Sequence, residues 1–172
     1  MMPRSLLTLL TCSMLAAGTS GLAAQTRQPP PDCKAASHRQ FDFWVGDWVV
    51  FVNGDTAGTN RVTLEESGCV VHEHWVGRGG GSGQSFNFFD RADQKWHQLW
   101  VSSSGMVLRL AGDYAEGQIR YSGETKRPDG STIRHRLTFF SNSDGTVRQF
   151  WESSTDGGTS WSAVFDGIYR KK

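Results

Sequence analysis

From Trp48 onward the chain alternates apolar and polar residues with a period of two, in short runs broken by glycine, asparagine and aspartate. A period of two puts successive side chains on opposite faces of a β-strand. Ten runs have this pattern: Trp48–Val52, Asn60–Leu64, Cys69–Val76, Gln84–Asp90, Lys95–Ser102, Met106–Asp113, Gln118–Gly123, Thr132–Ser141, Thr146–Ser153 and Ser162–Arg170. The links between them are short, among them Asn53-Gly54-Asp55, Glu66-Ser67-Gly68, Asp129-Gly130 and Asp144-Gly145. Asn-Gly and Asp-Gly suit the positive backbone angles of hairpin turns. No stretch in this region sustains a helical period, and parallel pairing would need crossovers for which the links have no room. The pattern predicts an all-β protein, a single antiparallel up-and-down β-barrel of about ten strands that closes on itself and leaves no edge. A two-sheet sandwich is the alternative.

The region before Trp48 reads differently. Met1–Arg4 has one positive charge, Ser5–Ala17 is apolar and small, and Gly21-Leu22-Ala23-Ala24 supplies small residues for cleavage. This three-part layout predicts a signal peptide over residues 1–24, and its apolar run is too short for a membrane span. Pro29-Pro30-Pro31 makes residues 25–37 an extended linker. His38–Phe43 is expected to form a short helical turn that plugs one end of the barrel, so the barrel domain covers residues 38–172. The expected location is outside the cytoplasm, periplasmic or extracellular.

Charge and composition narrow the partners. Lysine plus arginine is 18 and aspartate plus glutamate 17; residues 1–24 carry only Arg4, so the remainder is formally neutral. A neutral chain argues against broad electrostatic attachment to nucleic acid or an anionic membrane. All seven tryptophans lie after residue 43. Cys12 would leave with the signal, and the remaining pair, Cys33 and Cys69, is expected to form a disulfide in an oxidising compartment. Cys33 lies just before the plug and Cys69 opens the third strand. A bridge between them would hold the plug over the barrel mouth and control access.

Gly46-Asp47-Trp48, directly after a short turn, resembles the glycine–any–tryptophan signature of lipocalins and their calycin relatives. The resemblance implies a lipocalin-like barrel in which a basic residue from the last strand, Arg170 here, packs across the Trp48 ring. A wider similarity runs through the chain after the linker. His38-Arg39-Gln40-Phe41-Asp42-Phe43-Trp44-Val45-Gly46-Asp47-Trp48 looks like the opening of an uncharacterised family of exported bacterial proteins. Gly68-Cys69, Trp96, Gln98, Trp100, Trp151-Glu152 and Phe165-Asp166-Gly167 match it further. That similarity implies export and a barrel, and no reaction. Ser154–Trp161 resembles the Asp-box of sialidases, with serine in place of the threonine. The motif is a structural turn there, and it occurs once here.

Alternation sorts candidate chemistry onto faces. Glu73 and Trp75 share one face of their strand, Trp96, Gln98 and Trp100 one face of theirs, and Gln149 and Trp151 one face of a third. Indole area for affinity with a few polar groups for orientation is what a small-molecule cavity needs. The expected lining is Glu73, Trp75, Asn87, Trp96, Gln98, Trp100, Arg136, Gln149 and Trp151, around a small apolar or aromatic ligand. The alternatives are a solid aromatic core in a non-catalytic envelope scaffold, and an enzyme that uses Glu73 as general acid or base. His72 and His74 share the opposite face, and with His97 they are weak candidates for a metal site. Gly77–Gly83 lacks the lysine and hydroxyl of a phosphate loop and reads as a hairpin loop. There is no nucleophile-elbow motif, and no cofactor is expected.

Overall fold

The computed structural model describes residues 33–172; the predicted signal peptide and most of the predicted linker lie outside the described residues. Ten strands follow in order: β1 (Gly46–Val52), β2 (Asp55–Glu65), β3 (Val70–Gly77), β4 (Ser82–Asp90), β5 (Lys95–Ser102), β6 (Val107–Ala115), β7 (Gln118–Lys126), β8 (Thr132–Ser141), β9 (Val147–Ser154) and β10 (Ser162–Lys171). Each pairs antiparallel with its neighbours in the chain, and β1 pairs with β10 to close the barrel. Every predicted run is a strand. The largest difference is β2, which starts at Asp55 because Thr56-Ala57-Gly58-Thr59 has too little apolar contrast to register as alternation.

Since every connection is a hairpin, the turns after β1, β3, β5, β7 and β9 gather at one end of the barrel. The other end receives the N-terminal arm. There α1 (Ala36–Arg39) and a 3₁₀ turn at Asp42–Trp44 form the expected plug, starting two residues inside the predicted linker. Phe41 and Trp44 are fully buried. The Phe41 ring stacks on Trp44 at 5.0 Å and meets Trp96, Phe139 and Tyr121 edge-on at 5.6, 5.0 and 6.4 Å. Two indole N–H groups fix the plug to the wall: Trp48 Nε1 donates to the Trp44 carbonyl and Trp96 Nε1 to Gln40 Oε1, both at 2.9 Å. Such aromatic clusters combine large apolar burial with preferred ring geometry.

The basic residue across Trp48 is Lys171, not Arg170. Register pairs Trp48 with Lys171 and Val49 with Arg170, so alternation sends the two cations to opposite faces. Lys171 Nζ lies 5.0 Å from the Trp48 ring centre and donates to the Val45 carbonyl at 3.1 Å, while the Arg170 guanidinium lies over Phe51 outside.

Cys33 and Cys69 form a disulfide, S–S 1.98 Å and Cα–Cα 4.9 Å. Arg39 donates to the Gly68 carbonyl beside it, so the arm is tied twice to the turn before β3. A disulfide fits an oxidising environment, and no helix among the described residues is long and apolar enough to cross a membrane. The Ser154–Trp161 segment is the β9–β10 turn. Asp156 accepts from Ser154 Oγ and from the N–H and Oγ of Ser160, and these bonds hold its carboxyl far below the usual range. Trp161 Nε1 caps the turn on the Gly158 carbonyl.

The bridge closes a 36-residue separation. Reducing it should lower unfolding stability by about 2–4 kcal/mol while leaving the strand signal in circular dichroism intact. Denaturant titration with and without reductant measures this, and an unchanged midpoint would contradict it.

Candidate functional site

The plug fills one half of the barrel, and the other half holds a cavity of about 350 Å³. Its walls are Trp75 on β3, Trp100 on β5, Leu108 on β6, Leu137 on β8, Trp151 on β9 and Phe165 on β10, with Glu73, Gln98, Gln149 and Tyr169 deeper. Trp75, Trp100, Trp151 and Phe165 all lie toward the strand ends that face away from the plug. The cavity therefore opens at the end opposite the plug, and the disulfide does not guard its mouth. The bridge and the cavity lie at opposite ends of the barrel.

Room for the indoles comes from inward-facing glycines. A Cβ at Gly83 would stand 2.4 Å from the Trp100 ring, and one at Gly58 would stand 2.7 Å from the Trp75 ring and 2.3 Å from the Val76 carbonyl. Bulges supply two more lining residues. β1 and β2 slip register at Val50/Phe51, which leaves Ala57 unpaired, and β9 and β10 slip at Ala163/Phe165, which leaves Val164 unpaired. Both unpaired residues line the mouth. A bulge re-aims side chains against simple alternation.

Among the described residues Glu73 is the one charged side chain in the lining, and it is buried. Asn60 Nδ2 donates to its Oε1 at 2.7 Å and Ser85 Oγ to its Oε2 at 2.6 Å. The network continues below: Asn87 Nδ2 donates to Ser85 Oγ at 2.9 Å, and Asn87 Oδ1 accepts from Gln98 Nε2 at 2.9 Å and from the Tyr121 hydroxyl at 3.3 Å. Tyr169 donates to Gln149 Oε1. Burial pushes the Glu73 carboxyl up to about 7, against the downward pull of the Ser85 and Asn60 hydrogen bonds. Burial and the nearby Glu73 carboxylate hold the Tyr121 and Tyr169 hydroxyls well above the usual phenol range. No ion pair reaches Glu73 among the described residues.

Six of the nine residues read as lining are there: Glu73, Trp75, Gln98, Trp100, Gln149 and Trp151. Three are elsewhere. Trp96 is packed under the plug against Phe41 and Phe89. Asn87 is fully buried and acts through Ser85 and Gln98. Arg136 points outward, with a bidentate ion pair to Glu152 and its guanidinium 4.3 Å from the Trp161 ring centre. Its neighbour His135 faces inward instead, between Thr125 Oγ1 at 2.8 Å and Trp151 Nε1 at 3.2 Å, and burial lowers its pKa. Strand β8 makes the phase legible, since His135, Leu137 and Phe139 are buried while Arg134 and Arg136 are exposed.

The histidine candidates do not converge. His72 stacks on Phe86 and bonds Gln84, while His97 stacks on Phe88 and bonds Asp93, both on the outer wall, and His74 is exposed. The grouping that does form around His97, with Asp90 and Asp93, is a surface cluster at the β4–β5 turn.

No protein-family model matches the chain, and no curated protein is significantly similar to it. The site is therefore read from its own geometry.

Two outcomes follow. Glu73 holds its proton more tightly folded than unfolded, so the stability tied to it is complete below its ordinary pKa of 4.5 and is lost as pH rises through about 7. Glu73→Gln should thus gain about 3 kcal/mol over wild type between pH 4 and pH 8, read as the difference between their denaturation curves. A difference independent of pH would contradict the buried, unpaired carboxyl. Gly83→Ala should push the Trp100 indole aside, shift the tryptophan emission and reduce stability by about 1–3 kcal/mol; an unaltered spectrum and midpoint would contradict the packing.

Proposed function

We propose that this is an exported small-molecule-binding protein that holds a largely apolar or aromatic ligand in a tryptophan-lined barrel cavity. The observation that carries this reading is a 350 Å³ space, open at one end, walled by Trp75, Trp100, Trp151 and Phe165 and floored by a few polar groups. Binding sites of small molecules combine these two features, apolar walls with sparse orienting polar atoms. Barrels of this kind can hold one ligand when the interior is not filled by side chains. The plug adds to the argument, because it closes one end and leaves a single entrance. Export rests on the leader-like residues 1–24 together with the disulfide. The Trp48–Lys171 contact fits the lipocalin-like resemblance, one residue later than the terminal arginine.

A second reading has its own support. A buried carboxyl that titrates near neutrality, at the floor of an aromatic pocket, has the properties of a general acid or base. On that reading Glu73 exchanges a proton with a ligand beside Gln98 and turns it over.

Titration of the protein with N-phenylnaphthylamine, a neutral fluorescent arylamine, separates the readings from a solid core. The binding reading expects saturable probe fluorescence, matching quenching of intrinsic tryptophan emission, and loss of both when Trp100→Ala and Trp151→Ala are combined. Absence of saturable binding would overturn it. Chemical conversion of a bound compound, abolished in Glu73→Gln, would move the assignment to the enzyme reading.

A further inference from the structure

Among the described residues the cavity joins three indoles to one buried carboxyl group and no cation. Its lining is otherwise uncharged: Gln98, Gln149 and the Tyr169 hydroxyl are the remaining polar groups, and Trp75, Trp100 and Trp151 account for much of the wall. Neighbouring elements do not neutralise Glu73 either. From β2 it meets Asn60 and from β4 Ser85, both as neutral donors. The titratable groups on β7 and β10, Tyr121 and Tyr169, are phenols that stay protonated through neutral pH. His135 on β8 stands behind Trp151, bonded to its indole N–H, and its burial favours the neutral ring. The ion pairs of the neighbouring strands, Arg136–Glu152 and Arg148–Asp166, lie on the outer wall.

Removing one partner from a buried ion pair leaves a costly uncompensated charge. Here no counter-charge stands beside Glu73 among the described residues, at the floor of an open cavity, and burial favours its neutral form. A ligand can complete the pair. Indole faces attract cations through the ring quadrupole, most strongly where water is excluded. A protonated amine donates hydrogen bonds to a carboxylate that are stronger than those between neutral groups. Resting on the binding reading above, we infer that the ligand is an organic monocation, an amine on a compact aromatic or aliphatic body, with its ammonium on Glu73 and its body among Trp75, Trp100 and Trp151. An anionic ligand meets the opposite situation, since among the described residues no lysine or arginine lines the space.

Proton linkage sharpens the inference. The empty site holds a proton on Glu73 through much of the neutral range, and an ammonium binds the ionised form. Binding then releases that proton, and amine affinity rises with pH until the carboxyl is fully ionised. At pH 6 about a tenth of the sites are competent, so affinity should be about tenfold weaker than at pH 8.

The test uses an isosteric pair, naphthylmethylamine and naphthylmethanol, titrated against the exported protein by tryptophan quenching at pH 6 and pH 8. The amine should bind at least about tenfold tighter than the alcohol at pH 8. It should also lose about that factor at pH 6, while the alcohol is insensitive to pH. Glu73→Gln should reduce the amine-to-alcohol ratio to about one, with its cooperative thermal unfolding reporting that the variant is folded. If the alcohol binds as tightly as the amine to the wild type, the charge inference fails and the binding reading stands. An amine preference that survives Glu73→Gln would also overturn the inference. If neither compound quenches saturably at either pH, the binding reading itself fails and takes the inference with it.

Discussion

A ten-stranded barrel encloses more interior than its own inward side chains fill, and the structure follows from how that space is divided. Phe41 and Trp44, brought in by the plug, fill one half together with Trp48, Trp96, Phe139 and Tyr169. Short hairpins on all sides let the wall close without an edge strand. The N-terminal arm cannot bury much apolar surface of its own, so it is held by the disulfide and by hydrogen bonds to Gly68 and Trp96. With one end closed this firmly, the other half opens away from the plug, and Trp75, Trp100, Trp151 and Phe165 line it while only partly buried against the core.

Glu73 lies at the boundary between those halves. Below it the interior is packed by the plug, with the Trp44 indole N–H and Asn60 Oδ1 buried without a hydrogen-bond partner; above it the cavity begins. Asn60, Ser85, Asn87, Gln98 and Tyr121 form one connected network whose hydrogen bonds run toward its carboxyl. A buried polar network of this kind specifies one arrangement of the strands that contribute to it, here β2, β3, β4, β5 and β7. The same network lowers the carboxyl's pKa only part of the way back from the effect of burial, which keeps a titratable group at the cavity floor.

Much of this is legible in the sequence, and the parts that are not have physical reasons. Period-two alternation locates all ten strands and puts Glu73, Trp75, Gln98, Trp100, Gln149 and Trp151 inside. Alternation says which face a residue takes but not its depth along the barrel axis. Trp96 and Trp100 share a face, yet one supports the plug and the other lines the cavity. Asn87 is inside for the same reason and out of reach of a ligand. Ala57 and Val164 reach the mouth only because bulges break the alternation, and nothing in their residue types announces a bulge. Arg136 was readable: the apolar phase of β8 runs through Leu137 and Phe139, which sends arginine outward and His135 inward. The terminal cation at Trp48 turned on a register of one residue, which only the β1–β10 pairing fixes.

Among the described residues the carboxyl at the cavity floor has no counter-charge. Site-resolved NMR of isotope-labelled protein, following the Glu73 side-chain carbon through a pH titration with Glu73→Gln to assign the signal, tests it most directly. The expected midpoint is near 7, well above the ordinary 4.5. Titration of Glu73 at or below the ordinary value would mean that a compensating charge or open water reaches the site, and would contradict a buried carboxyl without a counter-charge.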